Sequence, residues 1–179
     1  MQLTVREIQF DDIAHFADYW FCADAAYLRG MGVDVQKLPR REDFTAMLRA
    51  QIEQPYHLKK SYALIWLADG TPVGHSNVSP FTFGETAFMH LHLWQTENRR
   101  AGMGSQFVKM SLPYYFQNLN LKTLFSQPYA LNPAPNKTLP KAGFEFVKKY
   151  TTTPGVFCFE QEVNLWKMER EDYEKNGGS

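Results

Sequence analysis

The segment Arg99-Arg100-Ala101-Gly102-Met103-Gly104-Ser105 has the residue types that hold a phosphate. An apolar run, Ala87 to Trp94, ends just before it, a short polar loop follows, and glycines fall where the next helix begins. A helix start leaves backbone N–H groups unpaired and carries positive partial charge. Glycines let the backbone curl closely round an anion, and two arginines add charge. A pyrophosphate suits such a site. A nucleotide-hydrolysing loop would end in Gly-Lys-Ser/Thr, and a dinucleotide loop would carry three glycines behind an early strand. Neither pattern is present. A plain strand–helix turn with a glycine cap is the other reading of these seven residues.

His90 and His92 lie two apart in the apolar run, so on a strand both face one side while Met89, Leu91 and Leu93 face the other. Imidazole titrates near neutrality, so either ring could take a proton from a reacting group, or the two could be hydrogen-bonded members of a packed sheet. With His75 on the neighbouring strand they could also frame a metal, but no carboxylate or cysteine spacing supports that, and no metal is expected. Tyr129 follows a short predicted strand and either donates a proton or packs. Asn132 bonds backbone or a ligand. Tyr114 and Tyr115, beside Pro113, read as core and surface aromatics.

These residues need a sheet behind them. Leu3–Ile8 alternates as a first strand, and Asp11 and Asp12 can start a helix that continues through Ala23 and Tyr27 and ends at Gly30 and Gly32. A second helix is expected over Arg41–Gln54, with Phe44, Met47, Leu48 and Ile52 on one face. Strands are expected at Tyr62–Leu67, Val73–Phe81 and Ala87–Trp94, the first two joined at Asp69-Gly70. The helix opened by the glycines runs towards Asn118, with a break or kink at Pro113. A short strand at Thr123–Ser126, a helix at Ala134–Ala142 stopped by Gly143, and a hairpin of Phe144–Thr152 with Val156–Val163 complete the order. This is an α+β domain, a mixed central sheet flanked by helices on both faces, over residues 1–168, with a polar, frayed tail at 169–179.

The chain has 179 residues, and its 19 basic and 19 acidic side chains cancel. One domain with a substantial core fits that length. No basic excess points to nucleic acid, and no stretch approaches the roughly 20 apolar residues of a membrane span. Met1–Phe10 does not read as a signal peptide. Cys22 and Cys158 are the only cysteines, and a reduced, cytoplasmic protein is expected.

Arg99-x-x-Gly102-x-Gly104 resembles the Arg/Gln-x-x-Gly-x-Gly/Ala signature of the GNAT acetyltransferases. Asn132…Gly143-Phe144, with Gly143 eleven positions after Asn132, resembles that family's second segment. The two motifs with their strands cover about residues 86 to 150. Leu139 and Lys141 are most similar to the group that acetylates N-termini of ribosomal proteins, whereas many other members carry Tyr at the position of Leu139, where it protonates the departing thiolate. The resemblance implies a single GNAT domain that transfers acetyl from acetyl-CoA to a primary amine, a protein N-terminus or a small molecule, in a ternary complex. It implies a pyrophosphate held by Arg99, Arg100, Ala101, Gly102, Met103, Gly104 and Ser105, and a pantetheine arm paired with backbone at Leu93, Trp94 and Gln95. Asn132 would assist, and His90, His92 and Tyr129 become the catalytic candidates. Trp20, Phe21, Tyr27 and Met31 fall in the region that shapes the acceptor pocket in that family, though ordinary helix packing is the stronger reading of each. The partners implied are acetyl-CoA and an amine, for a monomer or homodimer, without nucleic acid or membrane. A non-catalytic acyl-CoA sensor is the alternative; turnover separates the two.

Overall fold

The run Tyr62–Ala68 is apolar or aromatic throughout, so the strand it forms must be covered on both faces. In the computed structural model, which describes residues 1–94 and 102–177, it is strand β2 of a seven-stranded sheet. The strands are β1 (Leu3–Glu7), β2 (Tyr62–Ala68), β3 (Thr71–Phe81), β4 (Thr86–Leu93), β5 (Thr123–Ser126), β6 (Glu145–Thr152) and β7 (Gln161–Glu169). Their spatial order is β1-β2-β3-β4-β5-β7-β6. Every neighbouring pair is antiparallel except β4 with β5. The helices are α1 (Ile13–Phe21), α2 (Ala25–Gly30), α3 (Arg41–Glu53), α4 (Met103–Pro113), α5 (Pro133–Lys141) and α6 (Arg170–Lys175).

The alternation of β2 divides the core in two. Tyr62, Leu64 and Trp66 join Phe107, Leu112, Leu139 and Phe144 beneath α4 and α5. Ala63, Ile65 and Leu67 join Phe16, Trp20, Leu28, Phe44 and Leu48 beneath α1, α2 and α3. Helices therefore cover both faces, as the sequence predicts. Trp66 stacks on Phe107 at 5.0 Å and donates its indole N–H to Ser111 at 3.0 Å, so the large buried aromatic leaves no polar atom unpaired. Among the described residues no helix is long and apolar enough to cross a membrane.

Three expectations need correction, and one needs refinement. The first predicted helix is two, because Asp24 caps α2 by accepting from the N–H groups of Ala26 and Tyr27 and so ends the run at Cys22. The α-helix gives way at Pro113, as expected, yet the chain does not leave the helical path: it widens directly into a π-helical turn, Tyr114–Asn118. The last strand begins at Gln161 rather than Val156, because Val156–Phe159 folds across α2's end, where Val33 bridges Cys158 and Phe157 packs on Trp20. The tail expected to fray from Glu169 carries α6, whose Tyr173 is buried and stacked on Phe116 at 4.6 Å. One aromatic anchor outweighs the tail's polar composition.

Candidate active site

The ladder between β4 and β5 pairs Thr86 with Thr123, Ala87 with Leu124 and Phe88 with Phe125, and goes no further. Ser126 then donates its hydroxyl to the carbonyl of Met89 at 2.9 Å, the last link across the two strands. Beyond it β4 stays with β3, up to the bond from Trp94 N–H to Val73 O at 2.9 Å. The chain after β5 follows β7 instead, with Tyr129 bridging Val163. The strands thus splay and leave a gap. Backbone groups alternate in direction along a strand. Trp94 points to β3, so the N–H and C=O of Leu93 and Leu91 point into the gap. Trp94 itself, expected to offer backbone to a cofactor, has its N–H committed to β3.

Beyond β4 the described chain resumes at the start of α4. Gly102, at the N-cap, has φ +86°, a left-handed conformation that L side chains rarely adopt. Among the described residues no side chain caps this helix, and Gly102 has none to offer to the first-turn N–H groups of Met103, Gly104 and Ser105. The Ser105 hydroxyl turns back to Gly102 O at 2.8 Å. Gly104 has a different reason to be glycine: a Cβ there would lie 3.3 Å from Thr138 Oγ1, where α5 crosses α4. Gln95, Arg99, Arg100 and Ala101 fall outside the described residues.

His90 and His92 project from β4 on the face opposite Met89, towards α1 and α2, as their spacing predicts. Nε2 of His90 lies 2.8 Å from the Ser79 carbonyl. A carbonyl only accepts, so Nε2 carries the hydrogen and Nδ1 keeps a lone pair. Nδ1 of His92 lies 2.9 Å from the Tyr19 hydroxyl, which also donates to Met31 Sδ at 3.2 Å and lies 3.4 Å from the Tyr27 hydroxyl. His75, fully buried and stacked on His92 at 4.8 Å, accepts the Trp94 indole N–H on Nδ1 at 2.6 Å. It is therefore neutral, with its proton on Nε2, which has no partner among the described residues.

Burial lowers the pKa of all three rings by disfavouring the cation. For His90 the Ser79 carbonyl opposes that loss. His92 is pushed down to about 3, by burial first and by His90 second. His75 is lowered well below its ordinary value by burial, then by His92 and His90. Among the described residues no group of His, Cys, Asp and Glu could hold a metal ion.

The opposite wall is built from Gln127 to Asn132. Tyr129 is half-buried and packs edge-on against Phe159 at 5.7 Å. Asn132 caps α5 without a side-chain bond. The polar keystone is Asn136, which the sequence does not reveal. Its Nδ2 donates to Tyr129 O at 3.0 Å and Asn132 O at 2.8 Å, and its Oδ1 accepts from Asn164 at 2.9 Å and Trp166 at 3.0 Å. Leu139 is fully buried in the core under α4. Tyr114 and Tyr115 are structural: their hydroxyls meet Val5 O at 2.9 Å and Ser76 Oγ at 2.6 Å.

The architecture has many counterparts. A spermidine N-acetyltransferase from Vibrio cholerae, solved with CoA and spermine, superposes with a TM-score of 0.76 at 14% identity, over 97% of this chain and 98% of that one. The aminoglycoside acetyltransferase AAC(6')-Ib, solved with coenzyme A and kanamycin, gives 0.73 at 16% identity, again over 97% and 98%. RimL, a ribosomal L7/L12 alpha-N-protein acetyltransferase solved with coenzyme A, gives 0.76 at 12% identity over 94% of each chain. No curated protein matches the chain. At these identities the superpositions speak for the fold. The model of the acetyltransferase (GNAT) domain matches residues 2–145, most of the chain, including β4, β5 and the start of α4. The chain belongs to the GNAT acetyltransferase family.

Proposed function

We propose that this protein transfers an acetyl group from acetyl-CoA to the nitrogen of a primary amine, by direct attack in a ternary complex. The observation that carries the reading is the splay of β4 from β5, which exposes strand backbone beside two imidazoles, with a left-handed glycine opening the next described helix. The residues present fit the co-substrate. The first-turn N–H groups of α4, with Arg99 and Arg100 nearby in sequence, receive the pyrophosphate. Leu91 and Leu93 pair with the amide-bearing pantetheine arm as an added strand would. A backbone N–H of this edge, aimed at the thioester oxygen, stabilises charge as it develops there.

The amine reacts only when neutral, and a free alkylamine has a pKa of about 10. His90 Nδ1 takes the proton, directly or through one water. The nitrogen forms its bond to the acetyl carbon as the carbon–sulfur bond breaks, and the sulfur leaves with the electron pair. A thiol pKa of about 8.5 makes that departure tolerable without a strong acid. Tyr129, on the facing wall, is the hydroxyl we assign as donor to the sulfur. We place the reaction in a reducing cytoplasm, consistent with Cys22 and Cys158 both being free thiols.

The test is release of free thiol from acetyl-CoA in the presence of an amine panel. Thiol appearing in step with acetylated amine supports the reading. Tight coenzyme A binding with no thiol from any amine would make the protein a sensor.

A further inference from the structure

The side of β4 that carries His90 and His92 meets an unusual surface for an amine site. Tyr19 and Tyr27 approach from α1 and α2 and reach His92 through the Tyr19 hydroxyl. From the other direction the segment 155–159 crosses close to His90: a Cβ added at Gly155 would lie 3.6 Å from Cys158 Sγ and 3.9 Å from His90 Cε1. That segment brings Phe157 and Phe159, and Phe159 meets Tyr129. It is pinned over α2's end by the bond from Asp34 N–H to Phe157 O at 2.8 Å and by Lys37 Nζ donating to Cys158 O at 2.8 Å.

Among the described residues, the strands and loops that form this cleft carry no carboxylate. Residues 86–94, 123–132 and 153–159 contain neither Asp nor Glu. The acids on α1 and flanking α2 are engaged elsewhere. Asp18 pairs with Arg41 at 2.6 Å, Asp24 caps α2, and Asp34 accepts from Gln36 N–H. Glu162 pairs with Lys149 at 3.0 Å, and Glu160 is exposed. The nearest fixed charge to the covering segment is the cation of Lys37. A second ammonium group carried into this cleft would lose hydration with no carboxylate among the described residues to compensate. Aromatic faces return only part of that loss to a cation. The rings here are spent partly on edge-on packing, Tyr19 against Trp20 and Tyr129 against Phe159.

We infer that the acceptor is a primary amine with one positive charge and an aromatic or apolar body, rather than a polycation. The inference rests on the acetyl-transfer reading. The nitrogen gains the acetyl carbon and loses one proton, the carbon–sulfur bond breaks, and the thiolate gains one proton, so the reaction balances with no further reactant.

The experiment compares 2-phenylethylamine with spermidine and kanamycin in two assays: thiol release from acetyl-CoA, and calorimetric binding to the protein saturated with coenzyme A. We expect kcat/KM for 2-phenylethylamine to exceed that for either polycation by about 100-fold, with binding in the same order. Tyr27→Glu, which sets a carboxylate at the mouth, should narrow that ratio at least about tenfold. Spermidine or kanamycin reacting as well as 2-phenylethylamine would overturn the inference, as would a ratio unmoved in a folded Tyr27→Glu protein. Selective binding of 2-phenylethylamine without thiol release would support the acceptor class and sink acetyl transfer. Thiol release with polycations would do the reverse.

Discussion

The Tyr19 hydroxyl sits 2.9 Å from Nδ1 of His92, and this contact separates the roles of two histidines that the sequence leaves equivalent. His92 is tied to helix α1 through Tyr19 and stacked on His75. Its proton affinity is so reduced that an imidazolium there would not form at neutral pH. His90 is tied only at Nε2, to a backbone carbonyl, and its Nδ1 lone pair is free of that bond. One ring fixes the sheet to the helix layer; the other can accept a proton.

His90→Ala should therefore lower kcat/KM by about 10² or more with the best amine, the low end for a lost general base. His92→Ala should cost less in rate and more in stability. The ring of His90 must be neutral to act, and burial holds its pKa below the ordinary 6.5. The acidic limb of the wild-type profile should accordingly fall below pH 6.5 and disappear in His90→Ala. Near-wild-type rates with that limb intact would assign the proton to water or another group.

The same burial gives the fold a pH dependence. In the unfolded chain His75, His90 and His92 regain ordinary pKa values near 6.5, so below that pH the unfolded state binds more protons than the native one. Stability should be flat above about pH 7. It should fall as pH drops from 6.5 towards the lowered native values, by up to about 1.4 kcal/mol per pH unit for each ring. Urea titrations at pH 7.5 and 5.5 measure this. His92→Gln should reduce the difference by about one proton's worth, and an unchanged slope would mean that His92 is hydrated in the native state.

The glycine loop is testable by asymmetric substitution. Gly102 has open space for a side chain but φ +86°, whereas Gly104 has an ordinary φ and faces Thr138. Gly102→Val should add backbone strain of about 1 to 3 kcal/mol and block the phosphate approach. Gly104→Ala should be tolerated once Thr138 yields a few tenths of an ångström, while Gly104→Val should disturb the α4–α5 packing. Calorimetry with acetyl-CoA should show binding lost in Gly102→Val and retained in Gly104→Ala. For the wild type, ligand at about 100 times Kd should add roughly 2.7 kcal/mol of stability. Normal affinity in folded Gly102→Val would place the pyrophosphate elsewhere.

Much of this site was legible because it depends on short-range pattern. The period-two spacing of His90 and His92 set their shared face, and the glycines marked the start of α4. What escaped depends on distant partners. Tyr19 reads as one more apolar residue of a helix, and only the approach of β4, 73 positions later, gives its hydroxyl a purpose. The segment Val156–Phe159 has strand-forming residues, yet Val33 and Trp20 draw it off the sheet edge. Tyr173 sits in a polar tail that composition alone would leave frayed.

Asn136 is the clearest case of a residue whose role the sequence hides, and its geometry makes a sharp prediction. The amide nitrogen faces two carbonyls, Tyr129 O and Asn132 O, and the amide oxygen faces two N–H donors, from Asn164 and Trp166. The orientation is fixed by that arrangement. Asn136→Leu keeps the approximate volume and removes all four bonds; with partly buried partners left unpaired it should cost about 2 to 4 kcal/mol. Asn136→Asp is the more telling change. The carboxylate can still accept from Asn164 and Trp166, but its second oxygen would confront two carbonyl oxygens in place of the donor. If the bonds to Tyr129 and Asn132 are what hold the wall of the cleft, Asn136→Asp should be at least as unstable as Asn136→Leu near pH 7 and recover as acid protonates the new carboxyl. It should also slow thiol release by displacing Tyr129. An Asp variant as stable as wild type at pH 7 would show that the β7 contacts alone anchor this turn.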